Sequence, residues 1–344
     1  MKEVARVSAF SLRSYRDADE TGVLELLSAT LGGGPTGERS SDVFRWKHLE
    51  NPFGRSYMMV AEAEGRIIAL RSFMRWRFLA GNLALRGVRA VDTTTHPDYQ
   101  RRGIFTKLTG EALENLAGEA DFVFNTPNVN SLPGDLRMGW RKVGKIPISV
   151  RVRRPVKVLT RFRSAKSGIL GPRPRPSIEA ETAADALLDP GLPSLLADVA
   201  ERRDNRIATP RDLKYLWWRY AAAHLLDYRA VREESEGGLA GIALFRVRPR
   251  GELWESTVAE VIVRVGDRTT ARRLLRGVVK ASSVDHLTCH FPSGSASSFG
   301  ARRAGFVRIP GGMTFLVNPL NGGLQPEPTE LRSWALTLGD LEVF

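Results

Sequence analysis

The chain holds one cysteine, Cys289, in 344 residues, so no disulfide can form within it and a zinc site built on several thiolates is excluded. In its apolar strand Cys289 reads as a small buried residue. Histidine is scarce as well, five in all. His286 and His290 bracket Cys289 at a spacing of four, share one face of a strand, and read as structural, so no metal is expected. No apolar run is long enough to span a bilayer. Met1-Lys2-Glu3 opens a charged amphipathic segment without the apolar core of a signal peptide, and the two absences together predict a cytoplasmic protein. Acidic residues are missing from one long stretch: between Leu136 and Ile178 stand 13 Lys or Arg and no Asp or Glu, which equals the net charge of +13 and leaves the rest of the chain balanced. This local basicity overlaps the proline-rich segment Pro155 to Pro176. Such a run either solvates a connector or attracts nucleic acid, anionic lipid or an acidic substrate. From Pro155 to Pro176 Phe162 is its one aromatic, so direct base readout has no support.

What is present is a succession of short strands and helices. Ala5 to Tyr15 reads as a strand, followed by a helix carrying Val23, Leu24, Leu26, Leu27 and Leu31 behind Asp17 or Asp19 as cap. Gly32-Gly33-Gly34-Pro35 breaks the chain, and a second helix with Phe44, Trp46 and Leu49 ends at Asn51-Pro52. Tyr57 to Ala63 and Arg66 to Leu79 read as strands around Glu64-Gly65, and Ala80-Gly81-Asn82 turns into a further strand ending in Val88 to Thr95. His96-Pro97-Asp98 stops that strand. A helix begins near Gly103, with Ile104, Leu108, Ala112, Leu113 and Leu116 on one face. Asp121 to Asn125, Ser131 to Met138 and Arg141 to Arg153 follow as strand, short helix and strand.

The turn at Gln100-Arg101-Arg102-Gly103-Ile104-Phe105 presents backbone N–H groups and the positive end of a helix dipole, which suits a pyrophosphate. Gln100-x-x-Gly103-x-Phe105 resembles the Gln/Arg-x-x-Gly-x-Gly/Ala loop of the GNAT superfamily of N-acetyltransferases, and the element order over residues 1–154 is similar to the GNAT order. Phe105 departs from the motif's small residue. The resemblance implies an α/β protein with a mixed, mostly antiparallel, splayed sheet flanked by helices, and acetyl-CoA as cosubstrate. It implies Arg101, Arg102, Gly103, Ile104, Phe105 and Thr106 with Gln100 on the phosphates, and Thr93, Thr94 and Thr95 on the pantetheine and acyl carbonyl. Asn128, or its neighbour Asn130, falls where many members contact the pantetheine. Turn chemistry around Pro127 is the alternative for both.

A repeat accounts for the remaining length. Phe44-Arg45-Trp46-Lys47 matches Leu216-Trp217-Trp218-Arg219, and Gly65 and Gly237 follow the two tryptophans Trp46 and Trp218 at the same spacing. Val258 to Val265, Thr270 to Ala281, His286 to Phe291 and Ala296 to Phe306 repeat the later elements. Tandem GNAT folds are therefore expected, with domains at 1–154 and 179–320, a basic linker at 155–178 and a tail at 321–344. The second copy lacks the loop signature and sets Asp267 where phosphate would sit, so chemistry is expected in the first.

Acyl transfer from a thioester to an amine requires a neutral amine, a polarised carbonyl and a proton for the departing thiolate. Many GNAT members place a tyrosine four residues before a Gly-Phe; here Gly139-Trp140 puts Asp135 in that place, where it would act as an acid only with a raised pKa. For a base there remain Asp92, His96 and the Phe344 carboxylate, the last because the enhanced-intracellular-survival group uses its chain end in this way. Asp92 is the first choice, and the opposing reading makes it a buried carboxylate paired with Arg75, Arg77 or Arg89. Trp46 would help hold the acceptor. The expected function is acetyl-CoA-dependent N-acyl transfer by direct attack of a small-molecule, sugar or peptide amine. The alternatives are a Fem-type aminoacyl-tRNA-dependent transferase, in which the basic linker binds tRNA, and an acyl-CoA-binding module without chemistry.

Overall fold

Two hairpins with the same two-residue acidic turn, Glu64-Gly65 and Glu236-Gly237, form the second and third strands of two similar sheets. At the first, Glu64 and Gly65 both have positive φ, as a tight hairpin turn following the right-handed strand twist requires. The computed structural model describes residues 9–31, 40–155, 174–201, 204–223 and 226–341. The described residues form two compact units, the first from 9–77, 85–142 and 316–324, the second from 78–84, 143–315 and 325–341.

The first unit is built on β1 (Ser11–Ser14), α1 (Glu20–Leu31), α2 (Ser41–His48), β2 (Tyr57–Ala63), β3 (Arg66–Ala80), β4 (Leu83–Thr95), α3 (Ile104–Leu116), β5 (Phe122–Asn125), α4 (Leu132–Arg137) and the start of β6 (Arg141–Ile146), the ends of β3, β4 and β6 falling in the second unit. Its sheet also includes β14 (Met313–Pro319), in the order β1-β2-β3-β4-β5-β14-β6. Both faces are covered, which the alternation along β2 already encodes. Met58 and Val60 pack with Val23, Leu26, Leu27 and Phe44 of α1 and α2. Met59 and Ala61 pack with Ile104, Leu108 and Ala112 of α3.

In the second unit the sheet runs β13 (Val307–Arg308), β7 (Ser149–Val152), β12 (His286–Cys289), β11 (Leu253–Val263), β10 (Gly238–Arg250), β9 (Tyr228–Ser235) and β8 (Glu181–Thr182). Its helices are α5 (Ala183–Ala186), α6 (Leu192–Glu201), α7 (Leu213–Leu216) running into a π-turn at Trp217–Ala221, α8 (Arg268–Ala281), α9 (Ala296–Arg303) and α10 (Leu338–Leu341). Leu274, Leu275 and Val278 of α8 pack on Ala243, Phe245, Val258 and Val261 of the sheet. The two seven-stranded, mostly antiparallel sheets have the same order, position for position, and constitute tandem GNAT folds.

The sheets correct two readings. Arg141 to Arg153 is not one strand: Pro147, which has no N–H to donate, separates β6 in the first sheet from β7 in the second. Each sheet also takes its strand between the fifth and the last from the other half of the sequence, β14 in the first and β7 in the second. Sheet membership therefore does not follow a boundary at Arg154 or at residue 320. The start of the strand expected from Ala5, the Gly32-Gly33-Gly34-Pro35 break, residues 156–173 of the basic linker and Phe344 lie outside the described residues.

Candidate active site

The site begins with a parting of strands. β4 and β5 pair in parallel only at Gly87↔Phe122, Val88↔Val123 and Arg89↔Phe124, although β4 continues six residues further to Thr95. Backbone along Ala90 to Thr95 is thus open to a ligand on the side where β5 leaves it. Asp92, at φ 41°, departs from extended backbone within this stretch.

Beyond β4 the chain passes a 3₁₀ turn at Pro97–Tyr99 and enters α3 through Gly103, whose φ of 74° and lack of a side chain leave the helix without a side-chain cap. Lys107 N–H makes the first intrahelical bond, to Gly103 O, so the N–H groups of Ile104, Phe105 and Thr106 stand ahead of the ladder. Arg101 has φ 62°, and a Cβ added at Gly103 would meet nothing within 4 Å. Left-handed residues at 101 and 103, with Arg102 between them, before an uncapped helix form an open anion cradle. Gln100 Nε2 donates to Thr95 O at 3.2 Å, tying the loop to the strand. At the matching helix of the second unit Asp267 accepts from Thr270 N–H at 2.9 Å, so a carboxylate of the chain itself fills that helix start.

On the α2 face, Asp92 Oδ2 accepts from Lys47 Nζ at 2.6 Å and from His48 Nε2 at 2.9 Å, while His48 Nδ1 faces Ser56 Oγ at 2.9 Å. Lys47 and His48 are buried. Burial alone would raise the Asp92 pKa, but the adjoining Lys47 charge and the His48 hydrogen bond outweigh it and hold the carboxyl far below the usual range. A carboxylate so held is a poor proton acceptor. The base assignment to Asp92 therefore gives way to the buried-pair reading, with Lys47 and His48 as partners in place of Arg75, Arg77 or Arg89. His96 Nδ1 accepts from Asp98 N–H at 3.3 Å and lies 3.7 Å from Asp98 Oδ2, so this ring caps the 3₁₀ turn that follows β4.

The α3 face carries the other half. Asp135 on α4 is buried, accepts from Asn125 Nδ2 at 3.2 Å, and has its pKa raised by burial against the opposing pull of Arg71. Arg71 of β3 is buried as well, donates from Nη1 to Thr93 Oγ1 at 2.8 Å, and has its pKa pushed down to about 10 by burial. Phe105 turns its ring toward this guanidinium, 5.3 Å from Cζ. Asn128 Oδ1 accepts from the N–H groups of Asn130 and Ser131 at 2.9 and 3.0 Å, so it serves the turn into α4. Trp46 is 5% exposed, a core residue and not an open wall.

Residues that sequence reasoning missed are Lys47, His48, Arg71 and Asn125. Phe44, Lys47 and His48 share one helical face at i, i+3 and i+4, and two basic residues on an apolar stripe were the available signal. In the second unit His286 Nε2 lies 3.1 Å from Glu255, across the parallel register of β11 and β12, so this histidine does have a carboxylate beside it.

Residues 11–143 match the family model described as an acetyltransferase (GNAT) domain. No curated protein matches the chain. Among solved structures the fold is similar to a probable N-acyltransferase from Enterococcus faecalis V583, described as a conserved protein of unknown function, with TM-score 0.62 and 12% identity over 91% of this chain and 73% of that one. It is similar to a GCN5-related N-acetyltransferase from Anabaena variabilis (TM-score 0.62, 10% identity, 91% and 73% covered). It is also similar to Eis1 from Mycobacterium abscessus (0.53, 14%, 91% and 74%). Residues 11–143 are a GNAT acetyltransferase domain, set in a chain with the tandem GNAT fold.

Proposed function

We propose that the chain is an N-acyltransferase that moves an acyl group from a coenzyme A thioester, acetyl-CoA being the simplest, to an amine by direct attack. One observation carries this reading. In the first unit the reach of β4 from Ala90 to Thr95 that β5 leaves unpaired leads, through the loop that Gln100 ties to Thr95, to the uncapped start of α3, so a strand-like pantetheine and a pyrophosphate have adjoining places. Arg101, Arg102 and the N–H groups through Thr106 would bind the phosphates, and the Thr93, Thr94 and Thr95 backbone would hold the pantetheine and polarise the acyl carbonyl.

Asp135 supplies the thiolate proton in this proposal, because its burial favours the neutral acid. No described side chain on the motif strand is arranged as a base, Asp92 being held by Lys47 and His48. The amine therefore arrives neutral and attacks without enzyme-assisted deprotonation. Purified protein given acetyl-CoA and a panel of small amines, sugar amines and peptides, with free thiol followed by a chromogenic disulfide, tests this. Amine-dependent thiol release above the hydrolytic background is expected. Its absence across the panel, with acetyl-CoA bound, would leave a binding module.

A further inference from the structure

Arg71 lies within the α3 face of the first unit, 3% exposed, and the acyl-transfer chemistry does not call for it. Its Nη1 is engaged by Thr93, but Nε and Nη2 are buried without any hydrogen-bond partner. These two nitrogens form the side edge of the guanidinium, the pair of parallel N–H groups that meets both oxygens of a carboxylate. Trp140 Nε1, whose ring lies 5.8 Å from Arg71 Cζ, is a third buried donor without a partner. The other groups around the cation are the rings of Phe73 and Phe105, at 4.5 and 5.3 Å. Asp135 is the carboxylate whose charge reaches the cation, and neither Nε nor Nη2 bonds to it. A buried cation and an indole N–H left unsatisfied destabilise the fold unless a ligand completes them.

The position of this edge says what the ligand is. Thr93, which takes the third guanidinium nitrogen, belongs to the strand stretch proposed to hold the acyl carbonyl, and Asp135 is the proposed proton donor to the sulfur. The edge therefore borders the acyl end of the thioester. A fixed cation with a two-pronged edge is matched in the ground state by a fixed anion of the same shape, and poorly by the methyl of an acetyl group.

We propose that the acyl group carries its own carboxylate, a short dicarboxylic acyl such as malonyl or succinyl, which binds the Nε and Nη2 edge of Arg71 with Trp140 Nε1 as a further donor. This rests on the coenzyme A reading above. Phe105, half-buried and packed against Gly134 of α4, is the one ring of the three able to turn aside toward solvent and admit the chain. It stands where the GNAT loop has a small residue, so the departure from the motif acquires a role as the cover of Arg71. A carboxylate bound there also offsets the Arg71 charge at Asp135 and favours its acid form.

Calorimetric titration of the full chain with succinyl-CoA and with butyryl-CoA, equal in chain length and different in the carboxylate, tests the proposal on unaltered protein. Succinyl-CoA is expected to bind at least about tenfold more tightly. In Arg71→Met that preference should vanish while affinity for coenzyme A itself stays, and without ligand the variant should melt no lower than wild type, since a buried unpaired charge has been replaced by an apolar chain of similar length. Equal affinities for the two thioesters in the wild type would overturn the proposal and leave the coenzyme A reading standing. Failure to bind either thioester or coenzyme A would overturn both.

Discussion

His48 and Tyr220 stand two residues after the repeated tryptophans Trp46 and Trp218, and each hydrogen-bonds the strand carboxylate of its own unit, His48 to Asp92 at 2.9 Å and Tyr220 to Glu260 at 3.1 Å. The duplication has thus kept a carboxylate pinned to the tryptophan helix in both copies. In the second unit Arg211 Nη2 adds bonds to Glu260 at 2.8 Å and to Asp340 at 2.9 Å, where the first has Lys47. A pair that recurs in the unit whose anion cradle is closed by Asp267 serves the fold.

Asp92→Asn should accordingly behave as a stability lesion. The substitution takes from Lys47 and His48 the buried carboxylate that both of them bind, and a loss of about 3–5 kcal/mol is expected in urea unfolding. The pH dependence of the remaining transferase rate should keep its wild-type shape. A variant of undiminished stability whose rate falls selectively below the amine's pKa would restore Asp92 as the base.

The opposite signature is expected for Asp135. Its folded pKa is raised, so the native state holds its proton more tightly than the unfolded chain, and the associated stability is present at low pH and lost as pH rises through the folded value. At neutral pH Asp135→Asn should therefore melt at or above the wild-type temperature. Its rate should fall on the order of 10²-fold, and the alkaline limb of the wild-type profile should disappear. An unchanged rate and profile would remove Asp135 from the chemistry.

The basic segment separates into parts. Arg153 Nη1 donates to Val279 O at 2.7 Å and also to Ser282 O, carbonyls at the C-terminal end of α8, and Arg151 donates to Ala304 O. Arg154 is 43% exposed and 4.0 Å from Asp285. Arg153→Gln should cost about 1–3 kcal/mol, Arg154→Gln less than about 0.5. A tRNA column tests the Fem-type alternative: the wild type should elute at low salt with Arg154→Gln, whereas retention with a steep salt dependence would support nucleic-acid binding.

Much of this architecture was legible because it rests on local pattern. The strand, turn and helix around Gly103, the acidic hairpin turns and the repeated tryptophan helix all fall where residue periodicity sets them. The exchanged strands β7 and β14 were not, because strand pairing is a long-range choice and the alternation from Arg141 to Arg153 reads the same whichever sheet receives it. Within the site, the cradle was visible as a motif, while the burial of Lys47, His48 and Arg71 was not, since basic residues are ordinarily read as solvated. Arg151 and Arg153 misled for the same reason.

The most direct measurement is a calorimetric titration of wild type and Gly103→Glu with acetyl-CoA. Wild type should bind one equivalent per chain, because Asp267 occupies the matching helix start of the second unit. Gly103→Glu, still folded by circular dichroism, should bind none, its carboxylate standing where the pyrophosphate meets the N–H groups of α3. Equal heats from the two proteins, or no binding by the wild type, would contradict the account.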